Sequence, residues 1–424
     1  MAMRPGRNCR PPGGISRRGH APPPARIASS RREIAMAQTD RDDDPAEIPY
    51  RGHGIPKLGF ENYWYPILRA AEVKKKPKAV RLAGRDIVVY RDDGKLYALD
   101  DRCPHRGVKL SLGECSYKGT GTISCPYHGW TFDGSNGRLV AAIMDGPDAP
   151  ITRKVTIRHY PIREFAGLIW LWPGEMEPSV LEEDIPPYIG RQDEFFTIPM
   201  YTDYKCNWRW LVDNWGNDHH AQYVHRSSPE LIFQPVLPFA LTIEPKPLPS
   251  GKGMSFKRSG GMTSAEFPGL GRFPNNEWWR FMKPTGRGNV SGFQESKAHK
   301  VYGIQNQSEL WLPGLIIVGR LSGEYALIQW AVPIDENTTR CFNINNFRRL
   351  GRMREMYDRL HYAVWRGWAH DRIFSDQDKV LVEAVVPGPE RLSKSDTGVI
   401  AWRKFAGANA RRPEPAGKAS LDVA

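Results

Sequence analysis

Cys103-Pro104-His105-Arg106-Gly107 and Cys125-Pro126-Tyr127-His128-Gly129-Trp130 form two short segments that each pair a thiol with an imidazole, the first as C-x-H and the second as C-x2-H. Two thiolates and two imidazoles are the ligand set of a [2Fe–2S] cluster in which histidines replace cysteines on one iron. An all-cysteine cluster needs four neighbouring thiolates, and a zinc finger spaces its histidines roughly three to five residues apart. A Cys2His2 zinc site on two knuckles is the competing assignment, and the paired loops with their Gly-Trp ending favour the cluster. Imidazole ligation raises the potential above that of a plant-type ferredoxin, so the centre accepts electrons and passes them on.

A receiver for those electrons lies in Asp213-Asn214-Trp215-Gly216-Asn217-Asp218-His219-His220-Ala221-Gln222-Tyr223-Val224-His225. His220 and His225 with a distant carboxylate make a 2-His-1-carboxylate set, which leaves open positions on Fe(II) for oxygen. A five-residue step on an unbroken helix rotates by about 140°. One iron is therefore shared only if the helix ends or bends near Tyr223-Val224, with His219 pointing elsewhere. Three histidines on an ordinary polar helix are the bland reading, and the cluster motif upstream argues against it. The carboxylate is sought in Phe374-Ser375-Asp376-Gln377-Asp378-Lys379-Val380-Leu381-Val382-Glu383-Ala384, where a helix starting near Asp376 puts Asp378 in its first turn. Acids there also cap amides and suit the helix dipole, a role that accounts for one of the two. Asp378 is read as the ligand, with Asp376 as its rival.

With these motifs in place, the chain resembles the terminal oxygenase α subunit of Rieske non-haem iron ring-hydroxylating oxygenases, most of all those of the carbazole dioxygenase type. The likeness extends from Lys57-Leu58-Gly59-Phe60 and Tyr63-Trp64-Tyr65-Pro66 through Trp311-Leu312-Pro313-Gly314 to Val332-Pro333-Ile334-Asp335-Glu336-Asn337-Thr338 and Ile400-Ala401-Trp402-Arg403-Lys404. His220-Ala221-Gln222-Tyr223-Val224-His225-Arg226 is also similar to the iron motif of Rieske O-demethylases, so dihydroxylation, monooxygenation and O- or N-demethylation all stay open. The resemblance implies a [2Fe–2S] cluster on Cys103, His105, Cys125 and His128, and mononuclear Fe(II) on His220, His225 and Asp378. It further implies O2 as co-substrate, a hydrophobic aromatic substrate and a homotrimer. In such enzymes an Asp three residues before the first iron histidine bridges it to a cluster histidine of the neighbouring subunit. Here that position is Asn217, with Asp218 beside it. A charge-assisted bond is the stronger coupling, which favours Asp218 for the bridge. Asn207 and Asn214 are expected to orient the ligand histidines, and Arg106 and Trp130 to shape the cluster loops.

The 424 residues suggest two domains. The fold expected is α+β, an antiparallel β Rieske domain followed by an α+β catalytic domain whose central antiparallel sheet is flanked by helices. The boundaries expected are a disordered or polar extension at 1–56, the Rieske domain at 57–175, the catalytic domain at 188–409 and a tail at 410–424. Asp86 to Tyr90 and Leu96 to Leu99 read as a hairpin, and Phe165 to Trp172 as one strand. Trp208 to Val224 reads as the first metal-bearing helix, Leu310 to Arg320 as one strand, and Arg352 to Trp368 and Asp376 to Val385 as separate helices. Residues 245–308 read as a Gly/Pro/Lys-rich insertion.

No apolar stretch reaches the roughly eighteen residues that span a bilayer, so no membrane partner is expected. Free cysteines and an iron–sulfur cluster point to a reducing cytoplasm. The net charge of +13 does not call for nucleic acid, because residues 1–35 hold eight Arg and one Glu and account for +7 of it. Neither a G-x-G-x-x-G fingerprint nor a Walker A loop is present, so electrons must come from a separate NAD(P)H-dependent reductase, a ferredoxin, or both. Lys74-Lys75-Lys76-Pro77-Lys78 offers positive charge for an acidic donor, or only a solvated loop. A cluster protein that merely carried electrons would leave the second motif and more than half of the chain idle. The Arg-rich start lacks the apolar core of a secretory signal, and translation is expected to begin at Met36. Intact mass of the native protein checks this, with a chain retaining Met1 as the contrary outcome.

Overall fold

The structure is a computed structural model and describes residues 44–225, 228–229, 239–262, 264–273, 308–322 and 325–413. Its two longest strands, Tyr325–Asp335 and Thr338–Arg348, are buried on both faces for most of their length. Tyr325–Asp335 is buried from Tyr325 to Pro333 and pairs antiparallel with Thr338–Arg348, in register from Tyr325 opposite Phe347 to Pro333 opposite Thr339, with a shift before Asp335 opposite Thr338. Phe195–Tyr204 extends the sheet on the far side of Thr338–Arg348. Leu315–Ser322, Ser308–Trp311, Gly253–Ser259 and Thr242–Pro247 continue it on the other, completing seven antiparallel strands. The N-terminal part is built from three three-stranded antiparallel sheets. The α+β architecture is the one expected.

Several elements differ from the sequence reading for local reasons. Ala166 and Gly167, both at positive φ, split the expected strand 165–172 into a hairpin of Ile162–Phe165 and Leu168–Leu171. Trp311-Leu312-Pro313-Gly314 likewise turns the chain, so that 310–320 becomes Ser308–Trp311 folded onto Leu315–Ser322. Part of the supposed insertion is a strand of the main sheet, Gly253–Ser259; residues 274–307 lie outside the described residues. The two helices expected at 352–368 and 376–385 form one rod. Arg352–His361 passes into a π-helix over Tyr362–Phe374 and then into Ser375–Glu383. Phe374 and Ser375 keep helical dihedrals, so Asp376 and Asp378 cap nothing. Gly367 lies within the widened stretch, where a Cβ would come 3.0 Å from the Tyr362 carbonyl.

Apolar packing runs continuously between the two halves. Trp64, Ile67 and Trp170 share one core with Trp208, Trp330, Phe342 and Trp402, and Trp170 meets Trp330 edge to face at 5.1 Å. A second core of Val88, Leu99, Ile123 and Phe132 underlies the two cysteine loops. Helix Trp208–Gly216 is fixed beneath by charge. Arg403 donates to Asp213 at 2.7 Å and to Glu390 at 2.6 Å, and Tyr50 donates its hydroxyl to Asp213. The Tyr50 ring receives the Arg209 and Arg403 guanidinium groups at 4.1 and 4.6 Å. Burial pushes the Asp213 carboxyl up, so it depends on these partners to stay ionised. Arg403→Met leaves a buried carboxylate without its cation, a loss of about 3–5 kcal/mol, which should appear as a lowered thermal midpoint that Asp213→Asn in the same chain partly restores.

Candidate functional site

Each cysteine loop closes on itself with the same pair of backbone bonds. The Cys103 N–H donates to the Val108 carbonyl at 2.9 Å, and Gly107 returns a bond to the Cys103 carbonyl at 2.8 Å. Cys125 donates to Trp130 at 2.8 Å, and Gly129 to Cys125 at 3.1 Å. Gly107 and Gly129 sit at φ +77° and +67°, the left-handed conformation such loops require. The thiols of both loops are buried, while His105 is exposed and His128 partly so, with ring centroids 4.6 Å apart. Trp130 stacks on His105 at 4.7 Å and 11°, the loop-shaping role expected of it. Burial, together with the neighbouring Cys125 thiol, pushes the Cys103 thiol up to about 11. Two thiolates there call for the positive charge of a metal. The pair of closed loops thus suits a cluster whose sulfur side is buried and whose imidazole edge reaches the surface.

The second constellation joins helix ends far apart in sequence. Trp208–Gly216 stops at Asn217, which leaves helical geometry (φ −94°, ψ 76°); a tight turn Asp218–His220 and a short helix Ala221–Val224 follow. The expected single helix is thus broken at Asn217 as well as ended before His225. Both breaks bring His220 and His225 to one point, across from Asp378 on Ser375–Glu383. The Nε2 atoms of His220 and His225 each lie 3.3 Å from Asp378 Oδ1. His220 Nδ1 faces the Asn217 carbonyl, and His225 Nδ1 lies 3.0 Å from Gln377 Oε1. The tautomer that gives each Nδ1–H to its acceptor turns both Nε2 lone pairs toward Asp378 Oδ1 and frees them for a metal. A cation among the three relieves this convergence, and the donor set of two imidazoles and a carboxylate fits a metal ion. Burial opposes charge on both kinds of group, yet the imidazoles hold Asp378 well below the usual carboxylate range, and Asp378 raises His220.

Asp376 is exposed and takes no part in this convergence. His219 is likewise outside the group of three. Asn207 is not beside the histidines. It caps Trp208–Gly216, accepting from the Arg209 N–H while its amide donates to the Lys57 and Glu336 carbonyls. Asn217 donates from Nδ2 to Asp396 at 2.9 Å, and its Oδ1 is buried without a partner. The side chain of Asp218 lies outside the described residues. Gln377 and Phe374 escaped the sequence reading. Phe374 stacks on the His225 ring at 3.6 Å and 15°, and neither residue type signals a metal site by itself.

Residues 63–154 match the Rieske [2Fe-2S] domain, and residues 172–412, more than half of the chain, match the homotrimeric ring hydroxylase family. The chain is 31% identical over 369 residues to the terminal oxygenase component of carbazole 1,9a-dioxygenase from Metapseudomonas resinovorans, covering 82% of this chain and 91% of that protein. It is 36% identical over 170 residues to the oxygenase component of dicamba O-demethylase from Stenotrophomonas maltophilia, covering 39% of this chain and 48% of that protein. A solved fluorene-bound oxygenase–ferredoxin complex of carbazole 1,9a-dioxygenase superposes with a TM-score of 0.69 at 26% identity, over 84% of this chain and 92% of that chain. The chain belongs to the Rieske non-haem iron ring-hydroxylating oxygenases. It is an oxygenase of the kind that uses a [2Fe–2S] cluster, a mononuclear iron and O2. Among the described residues no helix is long and apolar enough to cross a membrane.

Gly129→Ala forces a left-handed alanine, at roughly 1–2 kcal/mol, and sets its Cβ 3.0 Å from Ile143. Acid-labile sulfide should fall while mononuclear iron stays.

Proposed function

We propose that the chain is the oxygen-activating component of a multicomponent system that hydroxylates a hydrophobic aromatic or polycyclic compound in the cytoplasm, with electrons from a ferredoxin and its reductase. In this reading Cys103, His105, Cys125 and His128 hold the cluster, and His220, His225 and Asp378 hold the mononuclear iron. Residues 57–175 and 188–409 are the units that build the two centres. The convergence of two imidazole Nε2 atoms on Asp378 Oδ1 carries the proposal. Bound there, iron supplies the open coordination positions at which O2 is activated. The chain supplies ligand geometry: the Asn217 carbonyl and Gln377 fix the tautomers of His220 and His225, and Phe374 holds the His225 ring plane. The exposed imidazole edge of the cluster loops is where a soluble donor meets the protein. The carbazole relative and the ferredoxin complex support the substrate class and the donor.

The dicamba relative supports demethylation as the second outcome of the same chemistry. For the electron path between subunits we propose Asp218 as the bridge, since Asn217 is tied to Asp396 and a neutral amide is the weaker acceptor.

One set of variants in a reconstituted ferredoxin–reductase system tests these assignments. Cys103→Ala should lose the Rieske EPR signal. Asp378→Ala should keep that signal and lose mononuclear iron and product, whereas Asp376→Ala keeps both. Asp218→Ala should slow oxygenation with both centres filled, and Asn217→Ala should do less. Formaldehyde released from aryl methyl ethers, with no diol or phenol from polycyclic compounds, would assign demethylation instead.

A further inference from the structure

Two features of the π-helical stretch Tyr362–Phe374 have no part in ligation; one touches the iron-binding group through Phe374, and the other ties the same stretch to the sheet. The first is a buried polar clamp. Asp371 is 6% exposed and accepts from Asn343 Nδ2 at 3.0 Å, from Asn345 Nδ2 at 3.4 Å and from the Tyr362 hydroxyl. Asn343 and Asn345 stand on Thr338–Arg348, the second strand from one edge of the seven-stranded sheet, and Gln329 on the adjacent strand donates to Asn343 at 3.1 Å. A carboxylate buried among three donors is held at one position, because any slip leaves it or them unsatisfied. The second is an aromatic stack. Phe374 covers the His225 imidazole at 3.6 Å and 15°, and His370, whose Nδ1 lies 3.3 Å from Asp371, is nearly parallel to the Phe374 ring at 5.1 Å and 13°.

Clamp and stack lie on one rod with the ligand. Asp371 precedes Phe374 by three residues and Asp378 by seven, about two helical turns. Between them Ser375 bonds back to the His370 carbonyl across the wider i→i+5 turn, and its hydroxyl bonds the same oxygen at 3.2 Å. π-Turns inside α-helices are uncommon and gather at functional sites. Here the wide turn sets the phase at which Phe374 meets His225 and Asp378 meets both histidines.

We infer that Asp371 and Phe374 are positioning residues for the mononuclear iron: the Asp371 clamp locks the π-helical rod to the central sheet, and Phe374 fixes the plane of the His225 ring against it. The inference rests on the ligand assignment proposed above and goes beyond it by naming what holds the ligands in place.

The test uses the full-length trimer, with iron titrated anaerobically and the ferrous nitrosyl adduct followed by EPR. Phe374→Leu removes the flat face and should weaken iron binding about tenfold or more and change the rhombicity of the nitrosyl signal, with the Rieske spectrum unchanged. Phe374→Tyr keeps the face and should restore both readouts. Asp371→Asn should shift them in the same direction as Phe374→Leu; should it fail to fold, the Phe374 pair decides alone. Asp378→Ala is the control. If it retains mononuclear iron, the ligand assignment itself fails. If it loses iron while Phe374→Leu binds iron and nitric oxide as the wild type does, the positioning role is overturned.

Discussion

Two imidazole nitrogens and a carboxylate oxygen aimed at one buried point repel one another unless a cation stands among them. Much of the described catalytic half is arranged to tolerate that convergence. Asp378 arrives on a rod clamped to the central sheet. His220 and His225 arrive on a segment that leaves helical geometry at Asn217 and regains it for only four residues before His225. The rigid elements on either side, Trp208–Gly216 with its Arg403–Asp213 pair and the seven-stranded sheet, keep the two approaches from relaxing apart. A metal site of this kind stores its geometry in neighbours that never touch the metal.

The cysteine loops meet the opposite requirement. A charged cluster held there, as proposed, needs an edge open for electrons, and the loops bury sulfur and expose imidazole. Because each loop closes with its own backbone bonds, the geometry is local and needs little from the rest of the fold. Continuous apolar packing through Trp170 and Trp330 then fixes the N-terminal sheets to the catalytic sheet within one chain.

That difference explains what could be read from the chain in advance. Cys103, His105, Cys125 and His128 sit in two short segments, so their spacing is nearly their geometry. The hairpin expected at Asp86 to Tyr90 and Leu96 to Leu99 is likewise present, as Arg85–Asp92 and Lys95–Asp100. Harder cases involved single residues that redirect the chain. Ala166-Gly167 and the Leu312-Pro313-Gly314 corner turned two expected strands into hairpins. Asn207 looked like a partner for the histidines and proved to be a helix cap, because the same side chain serves either role and only its neighbours decide.

By itself the sequence determined the candidate ligand types, the pair of cofactors and the α+β class, since these follow from residue chemistry and local periodicity. The tertiary structure decided that Asp378 and not Asp376 meets the histidines, that the helix carrying it is one widened rod, and that Asp371 and Phe374 stand behind the site. Those outcomes depend on helical phase and on contacts between segments more than a hundred residues apart, such as His225 with Gln377. A change of one residue in the turn would rotate a different side chain inward, and no local pattern records that rotation.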